Sequence, residues 1–129
     1  MSTLFSKIVA GEIPAHKIAE NEEFLAFLDV FPCREGHTLV IPKKETDYLF
    51  DLDDESYGKL FAFAKSLEPA IKKAVPCTKV GLAVVGLEVP HVHVHLIPMD
   101  RISDMDFTSK MKVSQEELAA IAERIRSFL

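Results

Sequence analysis

Apolar residues along this chain change spacing several times, and each change marks an element. Residues 3–10 carry Phe5, Ile8 and Val9 on one helical stripe that Gly11 stops before Pro14 resumes an extended path, which predicts a short helix. Residues 15–20 and 24–29 read as short strands on either side of the polar Asn21-Glu22-Glu23, a hairpin loop, and Phe31-Pro32 ends the second. Residues 36–42 predict a third strand, with Leu39 and Ile41 on one face and Thr38 and Val40 on the other.

The spacing then lengthens. Asp53 is a good N-cap, and Leu60, Ala64, Leu67, Ile71, Ala74 and Val75 recur at helical intervals up to Pro76, predicting the longest helix. Pro69 falls inside it, where a missing N–H and a clash with the carbonyl of Lys65 predict a kink or break. Residues 78–85 are β-branched and apolar with little alternation, as expected of a central strand covered on both faces. After the turn at residues 86–90, residues 91–98 alternate histidine with Val92, Val94 and Leu96, a period of two that puts histidines on one face and aliphatics on the other. Ser114 and Glu117 have capping-box spacing, and Leu118, Ile121, Ile125 and Phe128 continue as an amphipathic helix. Strand runs separated by two main helices predict an α+β fold with a largely antiparallel sheet of about five strands.

Composition narrows the function classes. A length of 129 residues with no repeat or linker-like stretch predicts a single domain over residues 1–129. A net charge of −5 argues against broad nucleic-acid binding while leaving a single nucleotide possible. Cys33 and Cys77 are too few and too far apart for a disulfide framework or a Cys-x-x-Cys clip. Without a leader-like N-terminus or a long apolar run, neither secretion nor a membrane partner is expected, and a cytoplasmic address follows.

Three of the five histidines, His91, His93 and His95, fall within five residues. Neighbouring side chains on one face of such a strand stand about 6.5–7 Å apart, and three imidazoles buried without partners are unfavourable unless something compensates. Two chemistries answer that. Neutral imidazoles of a His-x-His pair can ligate zinc, with Glu88 or His37 recruited as a further ligand. Alternatively, one imidazole attacks phosphorus to form a covalent intermediate while its neighbours donate to the non-bridging oxygens. The chain has no Gly-x-x-x-x-Gly-Lys loop, so the histidine face would itself be the phosphate site.

The run His91-Val92-His93-Val94-His95-Leu96-Ile97 resembles the signature of the histidine triad (HIT) family, and specifically its bacterial Hint-like branch. The stretches at residues 3–14, 24–29 and 36–44 resemble family blocks in the family order, so the resemblance spans residues 3–98. It implies an α+β fold whose sheet continues into that of a second copy in a homodimer. It also implies a nucleotide hydrolase or nucleotidyl transferase acting at the α-phosphate of purine nucleotide conjugates, of phosphoramidate or dinucleoside polyphosphate type. By the same resemblance His93 is the nucleophile, His95 binds the phosphate oxygens, and His91 and His37 support them. Asp29 corresponds to the ribose-binding carboxylate, and Leu4, Phe5, Ile8, Phe27, Leu28, Val30 and Leu39 to the apolar positions that sandwich the base. No metal or other cofactor is implied for the covalent step.

The chain also departs from the family pattern. Gly86-Leu87-Glu88-Val89-Pro90 is short and puts Glu88 where a hydroxyl or amide donor is expected at the substrate; an ionised carboxylate cannot donate. Val84 or Val85 stands where a phosphate-contacting asparagine is usual. Some bacterial relatives hold a structural zinc through a Cys-x-x-Cys and a following histidine; those positions are Thr3, Ser6 and Glu45 here, so no such zinc is expected. The expected activity is an HIT-type nucleotide phosphoramidase or hydrolase. Two alternatives remain open: a metal-dependent hydrolase using His91, His93 and His95, and a nucleotide-binding interaction module with weak catalysis. Residues 100–113 match no pattern.

Overall fold

The computed structural model describes residues 3–129; Met1 and Ser2, at the N-terminus in which no leader is read, lie outside the described residues. The order is α1 (Leu4–Val9), β1 (Lys17–Glu20), β2 (Phe24–Leu28), β3 (Thr38–Pro42), α2 (Asp54–Ala74), β4 (Lys79–Ala83), β5 (Val94–Met99) and α3 (Gln115–Arg126), with 3-10 turns at Leu49–Asp51 and Ile102–Asp104. The five strands form one antiparallel sheet ordered β1-β2-β3-β5-β4. No described helix is long and apolar enough to cross a membrane.

Local chemistry explains the boundaries. Thr3, Asp53 and Ser114 each accept a backbone N–H three residues on, capping α1, α2 and α3. Asn21 Oδ1 accepts from the N–H groups of Glu23 and Phe24 and so closes the β1–β2 hairpin. Gly36, at φ +87°, takes a left-handed conformation and has the Val75 and Pro98 side chains where a Cβ would sit.

Four expectations need correction. First, β4 is an edge strand with exposed and half-buried residues, not a central one; its apolar composition does reflect a demand for cover, but none of the described elements supplies it on that side. Second, α2 runs through Pro69 without a break. Leu67, Ala70 and Ile71 around the proline are buried, and their packing offsets the missing hydrogen bond. Third, β5 begins at Val94, so His91 and His93 precede it. The register Val40↔Val94 would next pair Ile41 with His93 and Pro42 with Val92. Pro42 has no N–H to offer, its carbonyl meets the His91 ring, and the Val92 N–H goes to the Thr46 carbonyl. Fourth, Phe128 lies beyond α3 and is exposed rather than part of its buried stripe.

The sheet has two unlike faces. Phe24, Ala26, Leu28, Val40, Val92, Val94 and Leu96 pack under α2 and α3 in one continuous core. On the other face Leu25, Phe27, Leu39 and Ile41 meet only Phe5 and Ile8 of the six-residue α1 and a few partly buried neighbours. One short helix cannot cover five strands, and the remaining space is a cavity.

Candidate functional site

The cavity, of about 210 Å³, is lined by Leu4, Phe5, Ile8, Phe27, Leu28, Val30 and Leu39, by Asp29 and Glu88, and by His93 and His95. Every residue expected at the base, the ribose or the reacting phosphate is therefore brought together. His37 and His91 do not line it; both are fully buried behind it. Pro14, Ala15, Phe31, Val89 and Lys110 also line it, beyond those the sequence pointed to.

Hydrogen bonds fix the protonation of all four histidines. The Cys33 backbone N–H donates to His37 Nδ1 at 3.0 Å, so His37 carries its proton on Nε2 and donates it to His95 Nδ1 at 2.9 Å. His95 must then hold its own proton on Nε2. The carbonyl of His91 accepts from His93 Nδ1 at 2.7 Å, which leaves the His93 Nε2 lone pair free. His91 donates from Nε2 to the Pro42 carbonyl at 2.8 Å, so its Nδ1 accepts the Thr3 hydroxyl proton at 2.9 Å.

Burial keeps these rings neutral. It pushes His37 down to about 3 and His95 to about 4, and lowers His91 and His93 below the ordinary histidine value; neighbouring histidines and the Lys110 charge add to the effect on His37 and His95. Asp29 Oδ2 comes within 3.7 Å of His37 Nε2. That approach is no ion pair, because His37 is neutral and its one Nε2 proton points to His95. Burial raises the Asp29 carboxyl, offset by the Phe31 N–H donated to Oδ1 at 2.9 Å and by Lys110. Aromatic edges hold the rings: Phe5 packs T-shaped on His93 with centroids 4.9 Å apart, and Phe107 on His95 at 4.7 Å.

His91, His93 and His95 do not form a common ligand set, since both His91 nitrogens are engaged elsewhere. The group with metal-holding spacing among the described residues is Asp29, His37 and His95. The positions that hold zinc in some relatives fit zinc poorly here. Thr3, Ser6, Glu45 and His91 do meet, but as a hydrogen-bonded cluster: Glu45 Oε1 accepts from the Ser6 hydroxyl at 2.7 Å and the Thr3 N–H at 2.8 Å. Neutral hydroxyls already satisfied in this way are weak ligands beside thiolates.

Sequence patterning missed Phe107, Lys110 and the Cys33 N–H. The first two lie in a segment without helical or strand periodicity, and a backbone donor leaves no trace in a side-chain pattern.

Residues 10–102 match the HIT domain model. The adenosine 5′-monophosphoramidase of Schizosaccharomyces pombe is 36% identical over 131 aligned residues, covering 98% of each chain. Among solved structures, a Hit-like protein involved in cell-cycle regulation from Bartonella henselae superposes with a TM-score of 0.87 at 29% identity, over 99% of this chain and 96% of that one. A zinc-bound histidine triad family protein from Mycobacterium smegmatis superposes at 0.82 with 30% identity, over 98% and 92%. With the family model, the relatives and the fold in agreement, the chain belongs to the HIT family.

Proposed function

We propose that this chain, working as one HIT domain over residues 1–129, is a nucleotide hydrolase or nucleotidyl transferase. It acts at the α-phosphate of purine nucleotide conjugates, of phosphoramidate or dinucleoside polyphosphate type, through a covalent nucleotidyl-histidine intermediate. The observation that carries the reading is the unshared Nε2 lone pair of His93 at the wall of an apolar cavity, with its Nδ1 proton held by the His91 carbonyl. The monophosphoramidase activity named for the fission-yeast relative supports the same substrate class.

The base lies among Leu4, Phe5, Ile8, Phe27, Leu28, Val30 and Leu39, and Asp29 accepts from the ribose hydroxyls. His93 Nε2 attacks phosphorus; the bond to the leaving group breaks, its electron pair departs with that group, and a proton from solvent neutralises the departing amine or phosphate. The charge that develops on the His93 ring is stabilised at Nδ1–H by the His91 carbonyl. His95 Nε2–H donates to a non-bridging oxygen, and His37, anchored by the Cys33 N–H, keeps His95 in that tautomer. Water then attacks phosphorus, the P–N bond breaks, the lone pair returns to His93, and the water's proton passes to solvent, balancing the one taken up by the leaving group. No residue in this sequence of steps calls for a metal.

A homodimer belongs to the same reading. β4 offers an unpaired edge, with Leu82, Val85 and Leu87 exposed along and beyond it and Tyr48 and Phe50 beside Val85 and Leu87. A monomeric mass by light scattering would overturn this part. Two free thiols, Cys33 and Cys77, support a reducing, cytoplasmic setting.

The deciding experiment measures turnover of an adenosine 5′-phosphoramidate by wild type and His93→Ala, with and without EDTA. Wild-type turnover that is lost in His93→Ala and insensitive to EDTA is expected. Equal rates in the two proteins would remove His93 as nucleophile, loss with EDTA would favour the metal-dependent reading, and AMP binding without turnover would favour the interaction module.

A further inference from the structure

Residues 100–113 are stapled across the histidine end of the sheet. Asp104 Oδ2 accepts from Arg34 Nη1 at 2.6 Å and from the N–H groups of Asp100 and Arg101, and the Met111 N–H donates to the Pro32 carbonyl at 2.8 Å. Between these anchors the chain carries Phe107 onto His95 and Lys110 to the cavity wall. A second cavity, of about 230 Å³, opens beside the first against residues 85–87, Phe107 and Thr108. The two share four residues: Glu88, His93, His95 and Lys110. The lysine therefore lines both spaces, as does the nucleophile His93.

Charge gives that position a role. Asp29 and Glu88 are the carboxylates on the cavity walls, both unfavourable for an incoming phosphate, and burial keeps His93 and His95 uncharged. Lys110 is the one permanent cation among the described residues lining either cavity. It is paired with Glu88 at 3.4 Å, and the Glu88 side chain is 77% exposed, so the pair is a weak tie that an anionic ligand can break. We propose that Lys110 is the phosphate-binding cation of this site, selecting anionic nucleotides over neutral nucleosides, and that Glu88 holds its ammonium at the mouth until substrate arrives. The proposal rests on the nucleotide reading above and extends it to a residue supplied by the unpatterned segment.

Calorimetric titration with AMP and with adenosine tests it. In Lys110→Ala, AMP affinity falls roughly ten-fold while adenosine affinity is unchanged, because a charge-assisted contact to phosphate is removed and no base contact is touched. Lys110→Arg restores AMP binding to within a few-fold, and Glu88→Gln strengthens it by freeing the ammonium. AMP binding that is equal in wild type and Lys110→Ala overturns the proposal and leaves the nucleotide reading standing. Parallel weakening of AMP and adenosine also overturns it, since Lys110 would then only shape the pocket. A wild-type protein that binds neither ligand overturns both readings. Should Lys110→Ala fail to fold, wild type alone decides: the preference for AMP over adenosine must shrink as salt rises, and a salt-independent preference overturns the proposal.

Discussion

The two faces of one sheet are built from the same strands and do opposite things. Along β3, Val40 enters the core beneath α2 and α3, while Leu39 and Ile41 point to the side that α1 covers incompletely. In the residues leading into β5 and at its start, the same alternation separates Val92 and Val94 from His91, His93 and His95. The covered face is held mainly by apolar burial, whereas on the open face the apolar contacts of α1 are joined by hydrogen bonds that fix tautomers and by aromatic edges. Period-two alternation thus lets one strand serve stability with one set of side chains and chemistry with the other.

Substituting one residue on each face should separate the two roles, and this is the largest expected effect. Ile71→Ala on α2, fully buried in the covered core, should lower unfolding free energy by about 2–5 kcal/mol while leaving kcat per folded molecule unchanged. His93→Ala should lower turnover by roughly a thousand-fold or more with a stability loss of about 1–2 kcal/mol, smaller than that of Ile71→Ala, from the lost Nδ1 hydrogen bond and Phe5 contact. Denaturant titration and steady-state kinetics on both variants check the pair; a large stability loss in His93→Ala would mean that the open face is structural too.

The covered face was the more legible one. Helical spacing at Leu60, Ala64, Leu67, Ile71 and Ala74 marks residues that are all buried, because packing against a sheet leaves a periodic signature. The alternation through residues 91–96 is legible in the same way, although of the three histidines only His95 falls within β5. The failures are equally physical. Apolar composition in β4 reports that the strand seeks cover but not where in the sheet it lies. Pro69 signals a local penalty that tertiary packing outweighs. Phe107 and Lys110 owe their positions to staples such as Arg34–Asp104, seventy residues apart in sequence, which no local pattern encodes.

An intermediate effect is expected with pH, and it belongs to the open face. His37 and His95 titrate at about 3 and about 4 in the folded chain, both held down first by burial, against an ordinary value of 6.5. Their folded values lie below the unfolded ones, so below about pH 6.5 the unfolded chain binds more protons. The contribution is complete above that pH and is lost as pH falls towards 3–4. Denaturant midpoints should therefore drop between neutral pH and about pH 4.5. His37→Gln, which keeps a donor towards His95 but does not titrate, should show a shallower drop, whereas Ile71→Ala should shift the curve without changing its slope.

The smallest expected effect concerns how α1 is attached. Proton counting in the Thr3, Ser6, Glu45 and His91 cluster leaves no spare donor: the Ser6 hydroxyl serves Glu45 and the Thr3 hydroxyl serves His91 Nδ1, so the 3.0 Å approach of the two hydroxyls carries no proton of its own. Among the described residues, Glu45 is thus the side chain that joins the N-terminus of α1 to the chain just beyond β3. Glu45→Ala should lower global stability only slightly, yet speed amide exchange in Leu4–Val9 roughly ten-fold by local opening, with α2 unaffected. Because Leu4, Phe5 and Ile8 line the cavity, the same variant should raise KM a few-fold and leave kcat nearly intact. Hydrogen exchange read element by element decides it. Faster exchange throughout α2 would mean that the two faces open together, and that the clasp on α1 supports the whole sheet rather than the cavity alone.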